Sequence, residues 1–300
     1  MTKEELRSHF NRVYQKLICK YVRRHEREYK DQPIDVCVSK IKDSTRDWQD
    51  ECFDQFYLMF TALSSYKGLE NLLKKFTNKN ITANIDCFIS ELVIAFDIVQ
   101  KNPDIEIEYE PKHLSINNES QPDLKIQFNG RKYYIQTKRL YKSISYLEVS
   151  EKLEHTELMI PYDNIPQSVG SLKSATNFTP KDENCVFIIV QVVTDDAMQE
   201  NDQIANVLYG VELYRVNCET QKDFLVRHKF DNDTLIQNGG FFYSENGTQV
   251  DAYIKATEPN GLFFPYDYEM FINHTKASDK KLIYNILDIC AEYNATTYFD

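Results

Sequence analysis

The sequence predicts an α/β fold, with a mixed central β-sheet flanked by helices and a helical N-terminal region ahead of it. Three observations carry that expectation. Apolar residues recur at helical spacing through residues 1–80. Two alternating runs meet at Asn129-Gly130, the strongest short-range hairpin signal. Between 84 and 193 the pattern runs helix, three strands, helix, strand, which implies a mixed sheet.

The elements follow in order. Residues 3–30 read as a helix, with Leu6, Phe10, Val13, Tyr14, Leu17 and Ile18 on one face, ended by Asp31-Gln32-Pro33. Further helices fit Trp48 to Leu63 and Gly68 to Phe76. The span 81–195 forms the expected core. Asn84 to Gln100 is a strongly apolar helix stopped by Asn102-Pro103, and Ile105 to Tyr109 alternates with acids as a strand does. Asp123–Phe128 and Lys132–Arg139 form the hairpin. A polar stretch from Leu140 to Lys181 has room for one or two helices, one near Gln167–Phe178. Cys185–Val193 is a buried strand whose apolar run is broken by Gln191. The span 196–300 continues with a helix around Ile204–Tyr214 and a second hairpin of Phe241–Tyr243 with Val250–Ile254 around Asn246-Gly247. A closing helix is expected from Asp279 to Tyr293. Gly239-Gly240 and Asn273-His274 fit turns.

Composition narrows the function classes. The longest apolar run is far short of the roughly 20 residues that span a bilayer. The N-terminus is charged and amphipathic with no apolar signal segment, so a cytoplasmic chain without a membrane partner is expected. The chain has seven cysteines and no CxxC, which reads as reduced, buried thiols. The six histidines show no HExxH or HxH spacing, which argues against a zinc enzyme. A net charge of −11 argues against nonspecific coating of nucleic acid, although Lys125 to Lys142 holds six Lys or Arg and no acid.

The hairpin carries the chemistry. A two-residue Asn129-Gly130 loop sets Phe128 opposite Arg131, Ile126 opposite Tyr133 and Asp123 opposite Gln136. Opposed residues share a face, so Asp123, Lys125, Gln136 and Lys138 are expected on one side and Leu124, Ile126, Phe128 and Ile135 on the other. That groups a carboxylate, an amide oxygen and an ammonium around one small ion or water. Glu91 lies among Cys87, Phe88, Ile94 and Ala95 within an apolar helical stripe. A buried carboxylate is costly without a partner and is stabilised beside a cation. Asp97 is the weaker acid candidate. The plainer interpretations are a polar outer face for Gln136 and Lys138 and a solvent-reaching edge for Glu91.

Pro122-Asp123, followed by Gln136-Thr137-Lys138, resembles the PD-(D/E)XK signature of restriction-endonuclease-like nucleases. Glu91 occupies the place of that family's upstream acid. Gln136 departs from the commoner Asp or Glu and is similar to the QxK variant of the Mrr-like branch. The resemblance covers roughly 84 to 193. It implies a restriction-endonuclease-like core and a Mg2+-dependent endonuclease, with Mn2+ as a substitute, acting on nucleic acid, DNA first. It also implies a role in defence against foreign DNA and action as a homodimer or with a partner protein. Asp123 would be the principal metal ligand, with the Gln136 side-chain oxygen, the Thr137 carbonyl and Glu91 completing the shell. Lys138 would orient or deprotonate the attacking water. Replacing a carboxylate by Gln136 removes a negative charge and weakens metal binding.

Lys125, Arg139, Lys142 and Lys173 are candidate phosphate contacts. Tyr133, Tyr134, Tyr141 and Tyr146 read either as strand packing residues or as stacking surfaces of a nucleic-acid groove. The alternative to an enzyme is a catalytically inactive module of the same fold that binds nucleic acid or a protein. A third possibility is a helical interaction protein with the hairpin as scaffold. No GxxxxGK[ST] run is present, so ATP hydrolysis is not expected.

Overall fold

A computed structural model describes residues 2–24, 46–78, 85–112, 120–140, 174–182, 184–193, 201–209, 214–217, 222–225, 240–244, 247–257 and 266–273, with 33, 36–37, 39, 114 and 172. The helices are α1 (Lys3–Arg24), α2 (Arg46–Ser64), α3 (Glu70–Thr77), α4 (Ile85–Lys101) and α5 (Asn201–Tyr209). The strands are β1 (Glu106–Tyr109), β2 (Leu124–Phe128), β3 (Arg131–Leu140), β4 (Val186–Val193), β5 (Tyr214–Asn217), β6 (Lys222–Leu225), β7 (Ala252–Thr257) and β8 (Asp267–Ile272).

Six strands form one mixed sheet in the order β1-β2-β3-β4-β7-β8, and β5 pairs with β6 alone. β3, β4 and β7 run parallel, and the outer pairings are antiparallel. The parallel strands are buried on both faces, which explains the unbroken burial of β4. Alternation splits the core in two. Leu124, Ile126, Tyr133 and Ile135 pack with α1, α2, α3 and α4 on one face. Tyr134, Phe187, Ile189, Tyr253 and Phe271 pack with α5 and Leu172, Ala175 and Phe178 on the other. The N-terminal helices therefore share one core with the sheet.

The β2–β3 hairpin forms as the sequence implied. Asn129 and Gly130 both have positive φ, 50° and 75°, the type I′ geometry that suits strand twist. The resulting register sets Phe128 opposite Arg131, Ile126 opposite Tyr133 and Leu124 opposite Ile135.

The second hairpin expected around Asn246-Gly247 does not form. Phe241–Tyr243 and Gly247–Gln249 are short 3-10 turns, and the strand pairs elsewhere, with β4 and with β8. Phe241 and Phe242 are buried aromatics, and burial rather than strand pairing sets their place. β8 had no clear sequence signal, because its period-2 pattern, DYEMFI, ends in three buried residues. Gly240 enters the first of these turns at φ 92°, and buried Asn273, just after β8, donates its side-chain amide to the Val250 carbonyl at 2.8 Å. Tyr214 opens β5 instead of extending α5. The expected closing helix and most of 140–181 lie outside the described residues. Cys19, Cys37, Cys52, Cys87 and Cys185 form no disulfide with one another.

Gly68 joins the helices to the sheet edge. Its φ is 97°, and a Cβ there would lie 2.1 Å from the Ile107 carbonyl oxygen. Its own carbonyl accepts the Tyr109 amide at 3.0 Å. Gly68→Ala is therefore expected to destabilise the fold by about 2–4 kcal/mol, combining a left-handed backbone with a backbone clash. Equilibrium urea unfolding measures this as a lower midpoint at an unchanged slope.

Candidate metal and phosphate site on the β2–β3 hairpin

At its start β2 departs from simple alternation. The Asp123 amide donates to the Ile135 carbonyl at 3.0 Å, although Ile135 is already the register partner of Leu124. Two residues thus oppose one, a β-bulge, which bends the strand and re-aims a side chain. The simple expectation that Asp123 sits directly opposite Gln136 is corrected by this extra residue. The two side chains meet all the same.

Gln136 Nε2 donates to Asp123 Oδ2 at 3.1 Å, and the Thr137 backbone amide donates to the same oxygen. Asp123 therefore takes over the edge of β3 where β2 has stopped pairing. Gln136 and Thr137 are buried, with Gln136 8% exposed. Lys138 is half-buried, and its positive charge favours the Asp123 carboxylate.

The helix α4 brings Glu91 to the same place. The Tyr109 hydroxyl at the end of β1 donates to Glu91 Oε2. Burial, with the Asp123 charge second, pushes Glu91 up to about 8. Asp123 is pushed up to about 6 by burial, against the opposing pull of the Thr137 amide and Lys138. Two carboxyls with raised affinity for protons, close enough to act on one another, form a pair that a cation would stabilise in the charged state.

Three neighbours carried no motif in the sequence. Lys75 of α3 lies 3.3 Å from the Tyr109 hydroxyl and is ion-paired with Glu110. Glu110 follows β1 at φ 46° and donates its amide to the Asp123 carbonyl at 2.9 Å. The alternation of β1 hinted that Tyr109 faces inward, but nothing local marked Lys75.

Asp97 is not part of the group. The Tyr268 hydroxyl of β8, on the far edge of the sheet, donates to it. The candidate phosphate contacts are dispersed. Lys125 is ion-paired with Glu108 at 3.1 Å, and Lys132 with Asp182 at 2.7 Å, so acids distant in sequence offset part of the basic run. Arg139 donates to Ser90 of α4 at 2.7 Å, on the opposite sheet face from Lys138. Lys142, Lys173, Tyr141 and Tyr146 lie outside the described residues. Tyr133 and Tyr134 are core residues, 0% and 2% exposed, so they line no groove. Packing against the helices and against Phe178 accounts for both.

Among the described residues no three His, Cys, Asp or Glu side chains cluster with metal-ligand spacing. A metal shell here would need the Gln136 oxygen and the Thr137 carbonyl beside the two acids. Both hydrogen bonds to Asp123 fall on Oδ2, so Oδ1 remains for an ion. The donors are hard oxygens, which suit Mg2+ or Mn2+. Gln136 would have to turn its amide to offer oxygen, since its nitrogen now faces Asp123.

Burial pushes Glu91 up to about 8, so an ion held there near pH 7 would displace its proton. Mn2+ affinity of such a site would rise with pH through about 8 and level off above it. Titration calorimetry in buffers of different ionisation enthalpy reads the proton released.

Among known proteins, the chain matches no family model, no curated protein and no solved structure at a significant level. Among the described residues no helix is long and apolar enough to cross a membrane.

Proposed function

We propose that this chain is a metal-dependent nuclease with a restriction-endonuclease-like core, hydrolysing phosphodiester bonds of nucleic acid, DNA first. The observation that carries the reading is the convergence of Asp123, Gln136 and Glu91 beside Lys138, at the edge where the bulged hairpin opens. The helix, strand and hairpin order around it supports the same reading, as does the PD…QTK spacing.

Asp123, Gln136, Glu91 and the Thr137 carbonyl would hold Mg2+, with Mn2+ as a substitute. The ion when bound supplies Lewis acidity to the phosphate and lowers the proton affinity of water. The chain's own residues do the rest. Asp123 is fixed by the Thr137 amide, and Tyr109 fixes Glu91, so the oxygens are held in place before substrate arrives. Lys138, as its ammonium, orients the attacking water and offsets charge on the phosphate, and the proton of that water passes to a phosphate oxygen or to solvent. The new P–O bond forms to that water as the bond to the leaving oxygen breaks.

One observation favours a second reading, a non-catalytic module of the same fold that binds nucleic acid. The amide nitrogen of Gln136, not a third carboxylate, faces Asp123. Electron paramagnetic resonance of Mn2+ separates the two. The nuclease reading expects saturable Mn2+ binding in the wild type that Asp123→Asn abolishes. No binding up to millimolar Mn2+ by the folded wild type would leave the binding module as the better account.

A further inference from the structure

We propose that Gln191 is a positioning residue for Lys138, holding its ammonium by an amide that Tyr253 braces. The inference rests on the reading of Lys138 as the group that handles the attacking water. Gln191 is the one polar residue of β4, VFIIVQVV, and it is 1% exposed. An amide so placed in an apolar strand needs partners for both of its ends.

One end has a partner. The Tyr253 hydroxyl, itself buried, bonds to the Gln191 carbonyl oxygen. The other end, Nε2, has no hydrogen-bond partner among the described residues. The sheet register identifies its neighbours. Lys138 of β3 and Lys255 of β7 are the lateral partners of Gln191, and in a parallel ladder such partners point to the same face. Lys255 is already committed, at 2.9 Å from both Asn201 and Glu269. Lys138 makes no hydrogen bond or ion pair among the described residues.

The two ends of an amide have nearly the same heavy-atom shape, and a tyrosine hydroxyl accepts as readily as it donates. A half-turn of the Gln191 amide keeps its bond to Tyr253 and presents the carbonyl oxygen to the Lys138 ammonium. Tyr253, Gln191 and Lys138 then form a brace across three adjacent strands, ending at the candidate site. A flexible lysine stem would otherwise sample many positions.

Two readouts test this, one independent of catalysis. Acetic anhydride labelling followed by mass spectrometry reports the reactivity of each lysine. A held, hydrogen-bonded Lys138 ammonium reacts slowly, so Gln191→Leu is expected to raise its labelling about threefold or more. Lys125 and Lys132 in the same sample are expected to stay unchanged. Tyr253→Phe, a milder change, is expected to give the same direction at a smaller size. In the cleavage assay on plasmid and single-stranded DNA, Gln191→Leu is expected to lower kcat about tenfold with KM and metal half-saturation within about twofold. In a Lys138→Met background the same change is expected to have almost no further effect, because both act through one amine.

Altered labelling with no cutting by wild type would uphold the brace and reject the nuclease reading. Lys138 labelling unchanged in both folded variants overturns the brace, as does wild-type kcat in Gln191→Leu.

Discussion

Lys138→Met is expected to cut nucleic acid about a thousandfold or more slowly than wild type while binding Mn2+ with near wild-type affinity. The two effects separate because Lys138 stands beside the oxygen donors without being one of them. Its charge favours the Asp123 carboxylate and would also repel a divalent ion, so the two effects on metal affinity oppose one another and the net change is small. Asp123→Asn is expected to behave differently, losing both cutting and metal binding. It keeps its shape and a hydrogen-bond acceptor for the Thr137 amide, so the β3 edge should stay folded. Single-turnover cleavage and Mn2+ titration on the same preparations test the separation. Equal loss of metal affinity in both variants would place Lys138 in the metal shell or show a collapsed site.

The second large effect concerns stability. Glu91 ordinarily titrates near 4.5 and is raised to about 8 in the fold, by burial and then by Asp123. A carboxyl raised in this way costs nothing when protonated in both states. The metal-free chain is therefore expected to lose stability as pH rises from about 4.5 towards 8, where the unfolded chain is ionised and the folded one is not. Above that range the penalty is complete, of the order of a few kcal/mol. Glu91→Gln removes it. The variant is expected to melt higher than wild type at pH 8, to match it near pH 4.5, and to show little gain from added Mn2+. The wild type should be stabilised by Mn2+ at pH 8, since binding to the folded state alone shifts the equilibrium. Thermal melts with and without Mn2+ at the two pH values check the sign. A Glu91→Gln variant less stable than wild type at pH 8 would mean that Glu91 is a favourable partner in the metal-free fold.

Much of the hairpin was legible because its determinants are local. Asn129-Gly130 sets the turn, alternation sets the faces, and register follows from loop length. Glu91 was recognisable as a carboxyl in an apolar stripe. The bulge at Asp123 was not legible, since one extra residue leaves no local mark and shows itself only through the Ile135 carbonyl. Lys75 and Tyr109 were missed because their roles depend on how α3 packs against β1, a contact made at Gly68. The Phe241–Tyr243 error has the same origin. Three consecutive residues of high strand propensity were placed by burial in a turn, while Ala252–Thr257 found its partner in β4. The basic run was read correctly as a sequence and misleads as a surface, because Glu108 and Asp182 offset part of it.

Cleavage by the purified full chain tests the central claim most directly, comparing wild type with Asp123→Asn purified in parallel. Plasmid and single-stranded DNA are each incubated with Mg2+, Mn2+ or EDTA. Cutting by wild type with either metal, none in EDTA and none by Asp123→Asn is the expected result. Equal cutting by both proteins, or no cutting by a folded wild type that binds Mn2+, would contradict it.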